Sequence, residues 1–244
     1  MKILFIGSRL NQNNGYLQYL SLKKIYTNVD FIAPYKSFFF PFISIKIFHH
    51  ISPKLFLPLI NNYMLKRVKK KYDLIYVIDS ELIGKKLIFK LKNKTKKIVF
   101  FCCDNPFVKR DKQKWQLFLS AVKHYDLAVY HDVMRMKLSK KLGLKNSFLV
   151  SPPYDKKIHS RQKLTNTEKK KYKSNVVFVG TWSTQKGIFL KKLMDLGLNF
   201  KIYGSRWEKD PNYQLLKPII KPGHILPENY SKIIQSAKIA LCLF

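Results

Sequence analysis

Two glycine turns, Gly180-Thr181 and Gly204-Ser205-Arg206-Trp207, close two short apolar runs at 176–179 and 200–203, with Lys186 and Gly187 between them. Glycine lets backbone amides approach a ligand closely, and the lysine and arginine supply cations, so the pattern suits a diphosphate. Arg206 would be the phosphate fork and Trp207 a stacking face, with Trp182 beside them. The alternative for both indoles is hinge or inter-domain packing. A second set lies earlier in the chain: Asp104-Asn105 follows an apolar run and offers a carboxylate and an amide for a hydroxyl-rich acceptor or for base catalysis. An ordinary Asx turn before Pro106 is the competing reading. Gly7, Ser8, Asp79 and His131 stand at the ends of other apolar runs and complete the acceptor-side or cleft candidates.

The elements that must position these residues can be read from hydrophobic periodicity. Residues 176–179 are long enough for one buried strand, and 187–196 place Ile188, Phe189, Leu193 and Leu196 at helical spacing before Gly197. A strand at 200–203 completes a βαβ unit whose strand-end turns are open to a ligand. Upstream, strands are expected at 2–6, 29–33, 72–78, 97–103, 127–130 and 147–150, with helices between them, which makes a parallel sheet covered on both faces. The chain is thus expected to be α/β with two Rossmann-like domains, an acceptor-side domain at 1–155 and a donor domain at 175–244. The Lys-rich, nearly apolar-free stretch 156–174 reads as the linker. After residue 207, loops with one short strand near Ile219 lead to a helix from Pro227 and a last strand from Ile239.

The chain has 244 residues, 46% of them apolar, and 47 Lys and Arg against 14 Asp and Glu, a formal charge of +33. Such a balance favours polyanions, whether nucleic acid, anionic headgroups or phosphorylated small molecules. The excess is mostly lysine spread along the chain, which biased base composition would also produce. No RNP, helix-turn-helix or zinc-knuckle pattern accompanies it, so nucleic acid is the weakest of the three partners. Gly7 and Gly15 are too widely spaced for a dinucleotide fingerprint, and no cofactor is indicated. The three cysteines show no CxxC spacing, and no secretory signal is present, so no metal and a cytoplasmic setting are expected. The aromatic tract 37–60 is broken by prolines, Lys46, His49 and His50 and cannot span a bilayer. It reads as two short helices on the sheet, or as an interfacial segment that docks on the inner face of an anionic membrane.

The strings VVFVGTWSTQKGIFLKKL, FKIYGSRW and ENYSKIIQSAKIALCL resemble the carboxyl-terminal domain of group 1 glycosyltransferases, closest to the spore-maturation-protein B-like branch. YDLIYVID, FFCCDNPF and YDLAVYHDVMRMKLSKKLGLKNSFLVSPPYD extend the similarity over most of 72–244. The resemblance implies a GT-B fold and a metal-independent glycosyltransferase. It would move a sugar from a nucleotide-diphosphate donor to a polysaccharide, glycolipid or protein acceptor. It implies donor binding through Gly180, Thr181, Trp182, Lys186, Gly187, Gly204, Ser205, Arg206, Trp207, Glu228 and Tyr230. Asp104 and Asn105 would then be the catalytic pair. Retaining members often place a histidine beside that aspartate; here Cys103 stands there, which leaves the stereochemical outcome open. Family members continue past the residue equivalent to Phe244 with a glutamate-bearing segment that grips the sugar. The second domain is therefore expected to be incomplete, and an inactive sugar-nucleotide-binding or membrane-docking remnant is the alternative function.

Overall fold

The computed structural model describes residues 1–8, 14–78, 80–107, 113–152, 154–223 and 225–243. The chain divides into two units, 1–152 and 153–244. The first unit begins with β1 (Ile3–Ile6), α1 (Asn14–Ile25), β2 (Val29–Ile32), α2 (Pro41–His50) and α3 (Leu57–Arg67). It continues with β3 (Tyr72–Ile78), α4 (Lys85–Lys92), β4 (Thr95–Phe101), α5 (Gln116–Ala121), β5 (Leu127–Tyr130), α6 (Val133–Lys141) and β6 (Ser147–Leu149). The second contains α7 (Lys156–His159), α8 (Asn166–Tyr172), β7 (Ser174–Val179), α9 (Thr184–Asp195) and β8 (Phe200–Gly204). It ends with α10 (Tyr213–Leu216), β9 (Ile220–Pro222), α11 (Pro227–Gln235) and β10 (Ala237–Leu241).

The first unit is built on a six-stranded parallel sheet in the order β2-β1-β3-β4-β5-β6. Alternation along β1 sends Leu4 and Ile6 into one buried cluster and Ile3 and Phe5 into another, so both faces of the sheet are covered. The order reverses between β1 and β3, where Gly7 closes β1. A Cβ on Gly7 would run into the Ile78 side chain, and only glycine lets the two strand ends approach this closely.

The second unit carries a four-stranded parallel sheet in the order β10-β7-β8-β9. Val176, Phe178, Phe200 and Ile202 pack with Leu190 of α9 on one face; Val177 and Tyr203 pack with Ile233 of α11 on the other. Here the order reverses between β7 and β10. Such a switch point leaves a crevice beyond the carboxyl ends of the strands.

The stretch 156–174 does not behave as a linker. It belongs to the second unit, and Thr165 and Glu168 form a reciprocal capping box that starts α8. Tyr172 at the end of α8 is buried against Val177 and Tyr203, and Glu168 pairs with Lys232 of α11 at 2.6 Å. Ser231 Oγ donates to Ile158 O at 2.5 Å, and Gln162 and Gln235 exchange two hydrogen bonds. Lysines fill the outward side while a few spaced residues fix the helices, so composition alone concealed them.

Candidate functional site

The site candidate of the second unit is assembled from the β7–α9 and β8–α10 loops. Their backbones are fastened together: Gly180 N donates to Tyr203 O at 2.9 Å, and Trp182 N to Ser205 O at 3.0 Å. The hydroxyls of Thr181 and Ser205 lie 3.3 Å apart. Gly204, at φ +146°, stands so close to Gly180 that a Cβ would collide with the Gly180 carbonyl. Gly204 is therefore required by the packing of the loops on each other, whereas a Cβ on Gly180 would run into the Phe178 ring. The amides of Gly180 and Trp182 are consumed in this contact and do not point to a ligand, as the glycine turn had suggested.

Further donors belong to α9. The helix opens at Thr184, three residues earlier than periodicity indicates, which makes Lys186 its third residue and Gly187 its fourth. Ser183 at the N-cap makes no side-chain cap, and no acidic residue occupies the first turn. Helix geometry leaves the amides of 184–186 without partners four residues back, at the positive end of the helix dipole. Lys186 Nζ sits 5.9 Å from the centre of the Phe178 ring, which anchors its stem beside Gly180.

Arg206 is exposed and adopts the left-handed conformation, φ 68°, the single non-glycine residue with positive φ among those described. Holding an arginine there costs roughly 1–3 kcal/mol, and such strain is tolerated when the surroundings fix it. The next residue fixes it. Trp207 is 1% exposed, packs edge-on to Phe178 and donates from Nε1 to Gly180 O at 3.0 Å. Its ring is a core element and offers no stacking face, contrary to the role expected from sequence. An open pocket of about 340 Å³ lies beside it, lined by 204–208, Tyr213, Ile220 and Gly223.

One residue that braces the candidate site carries no signal in the sequence. Asp210 is buried and accepts from Trp182 Nε1 at 2.8 Å and from Asn212 N at 2.7 Å. A Cβ on Gly187 would strike its carboxylate, so Gly187 is the gap through which Asp210 reaches α9. Trp182 is thereby tied to the β8–α10 loop. The D-P-N run at 210–212 announces a turn, but nothing in it announces burial.

Glu228 and Tyr230 are exposed in the first turn of α11, which follows β9 and so starts at the same edge of the sheet as α9. Among the described residues no hydrogen bond or ion pair ties either side chain to the glycine loops.

In the first unit the candidates are largely committed to local structure. Asp104 Oδ1 accepts from Asn105 N at 2.9 Å and Oδ2 from Lys114 Nζ at 3.3 Å. Asn105 Oδ1 accepts from Phe107 N at 3.1 Å, the Asx turn that competed with a catalytic role. Arg135 braces the turn, donating from Nη1 to Asp104 O at 2.7 Å and Cys102 O at 3.2 Å, and from Nε to Asp132. Burial opposes ionisation of Asp132, but the backbone and side-chain bonds from Arg135 outweigh it and hold the carboxyl below the ordinary range. His131 stacks edge-on to Phe101, its Nδ1 3.2 Å from Val150 O. Gly7 is buried and Ser8 half-buried at the end of β1; Asp79 lies outside the described residues.

Among solved structures, the HepE protein of Anabaena in complex with UDP and glucose matches 98% of this chain and 73% of its own, at 12% identity and TM-score 0.64. A trehalose-6-phosphate synthase studied through bisubstrate glycomimetics matches 98% and 77%, at 12% identity and TM-score 0.59. An E. coli structure, trehalose-6-phosphate bound with UDP-2-fluoro glucose, matches 96% and 76%, at 11% identity and TM-score 0.55. No protein-family model and no curated protein matches the sequence. At these identities the similarity is one of fold, and the fold is that of the GT-B glycosyltransferases: two Rossmann-like units, each on a parallel sheet.

Proposed function

We propose that this chain is a glycosyltransferase that takes its sugar from a nucleoside-diphosphate donor bound by the second unit. The observation that carries the reading is the pairing of the open first turn of α9, with Lys186 on it, and the strained Arg206 across the fastened glycine loops. Two cations and a helix N-terminus beyond the carboxyl ends of β7 and β8 suit a diphosphate, which leaves with its charge offset by the protein without a metal ion. The pocket beside Arg206 takes the nucleoside. The fold match to structures holding UDP and UDP-2-fluoro glucose supports this donor class. The strings at 176–193, 200–207 and 228–243 support kinship with the spore-maturation-protein B-like branch. A polysaccharide, glycolipid or protein acceptor is taken by the first unit, at strand ends bearing Ser8, Asp104, Asn105 and His131.

The commitment of Asp104 and Asn105 to their turn favours a second reading, a sugar-nucleotide-binding protein that does not transfer. Incubation with UDP-glucose and other uridine and guanosine diphosphate sugars separates the two. Donor-dependent release of the nucleoside diphosphate is expected of the enzyme. Saturable binding without release selects the second reading, and the lack of both defeats the proposal.

A further inference from the structure

No acidic residue occurs between Asp30 and Asp73, while Lys36, Lys46, Lys54, Lys66, Arg67, Lys69, Lys70 and Lys71 all fall in that interval. This is the excursion from β2 to β3. It is anchored from within, since Phe38 and Phe48 are buried and meet Phe56 in one aromatic cluster. The same segment turns its other apolar side chains outward. Phe39 is 84% exposed and Phe40 72%, and Ile43, Ile51 and Leu55 are 63–65% exposed. Lys36, Lys46 and Lys54 are exposed among them, Ile43 and Lys46 one helical turn apart on α2. A soluble surface seldom collects this many large apolar side chains within seventeen residues (39–55) without a partner.

We infer that this segment docks the protein on an anionic lipid bilayer, with Phe39, Phe40, Ile43, Ile51 and Leu55 entering the headgroup boundary and the lysines meeting the headgroups. The charge pattern selects this occupant. A second copy of the chain would set an acid-free basic face against itself, because a two-fold contact repeats the same patch on both sides. A nucleic acid would match the lysines but not the exposed isoleucines and leucine. A bilayer surface matches both features, since apolar tips enter the interface while lysines on the same segment stay at headgroup level. Among the described residues no helix is long and apolar enough to cross a membrane, so the contact lies along the surface.

The test is co-sedimentation of the full chain with vesicles of phosphatidylcholine alone and of phosphatidylcholine mixed with phosphatidylserine. The wild type is expected to bind the anionic vesicles strongly and the neutral ones weakly. Phe39→Ser/Phe40→Ser/Ile43→Ser should weaken partitioning at least about tenfold, and each of Lys36→Gln, Lys46→Gln and Lys54→Gln about fivefold. The altered side chains are exposed, so unfolding midpoints should stay at the wild-type value. Phe39→Trp should gain quenching by brominated anionic lipid beyond that of the wild type. Undiminished binding of the triple apolar variant would reduce the contact to charge alone and overturn the inference. Equal binding to both vesicle types, or no binding at all, would also overturn it. Concentration-dependent self-association abolished by the triple variant, without vesicle binding, would assign the face to a copy of the chain instead.

Discussion

The strand-end turn after β4 and the strand-end loops after β7 and β8 look alike in sequence, each a few polar residues beyond a buried strand, yet they hold their charges differently. After β4, both oxygens of Asp104 and the side-chain oxygen of Asn105 are occupied, and Arg135 is spent on Asp132 and two carbonyls. After β7 and β8 the backbone is fastened by glycines, Trp207 and Asp210. Neither Lys186 nor Arg206 has an ion pair among the described residues. Polar residue types at a strand end therefore say little about chemistry. What matters is whether the turn uses up its own donors and acceptors in holding its shape.

The largest effect should come from breaking the scaffold of the second site. Trp207→Ala removes a fully buried indole and the bond to Gly180 O, and should cost about 3–5 kcal/mol of stability. Urea unfolding followed by circular dichroism should show the loss in the transition of the second unit, with that of the first unmoved. Gly204→Ala forces a Cβ into the Gly180 carbonyl and should also destabilise, whereas Gly197→Ala, with φ +75° but open space around it, should cost less.

A smaller effect sharpens the contrast from the other side. Asn105→Ala deletes the bond to Phe107 N and should cost about 1 kcal/mol. Lys114→Ala removes a partly exposed ion pair to Asp104 and should cost at most about 1 kcal/mol. Thermal unfolding of the two variants checks the order. An Asn105 variant with wild-type stability would mean that the turn is held by something else and would free that residue for chemistry.

The smallest difference concerns acid. Asp132 in the first unit is depressed against burial by Arg135, and Glu168 in the second is depressed by Lys232 and the Thr165 amide. A carboxylate with a lowered folded-state pKa stabilises above its unfolded value, and that contribution is lost as pH falls through the folded value. Both units should thus lose stability as pH falls through and below the ordinary carboxylate range. Asp132→Asn should flatten the decline of the first transition and leave the second unchanged.

Much of the fold was legible because buried parallel strands read as short apolar runs between glycine and proline breaks. The runs expected at 2–6, 72–78, 127–130 and 200–203 hold β1, β3, β5 and β8. The helices α7 and α8 were not legible through their lysines, although Thr165-x-x-Glu168 carried the capping signal. In the candidate site, Gly180, Lys186 and Gly204 stand out in the sequence because a glycine break after a strand and a cation on the next helix are local features. Asp210 does not, since its burial depends on Gly187 leaving space on a helix some twenty residues away, a tertiary fact. Trp207 was found but misassigned for the same reason: sequence shows an indole beside an arginine, and only packing shows which way it faces.

Calorimetric titration of the full chain with a nucleoside diphosphate, compared with Lys186→Ala and Arg206→Ala, tests the central claim most directly. Saturable binding by the wild type is expected, weakened at least about tenfold in each variant, the loss that follows from removing one charged contact to phosphate. Equal affinity in the wild type and both variants would contradict the assignment of the fastened glycine loops as the donor site.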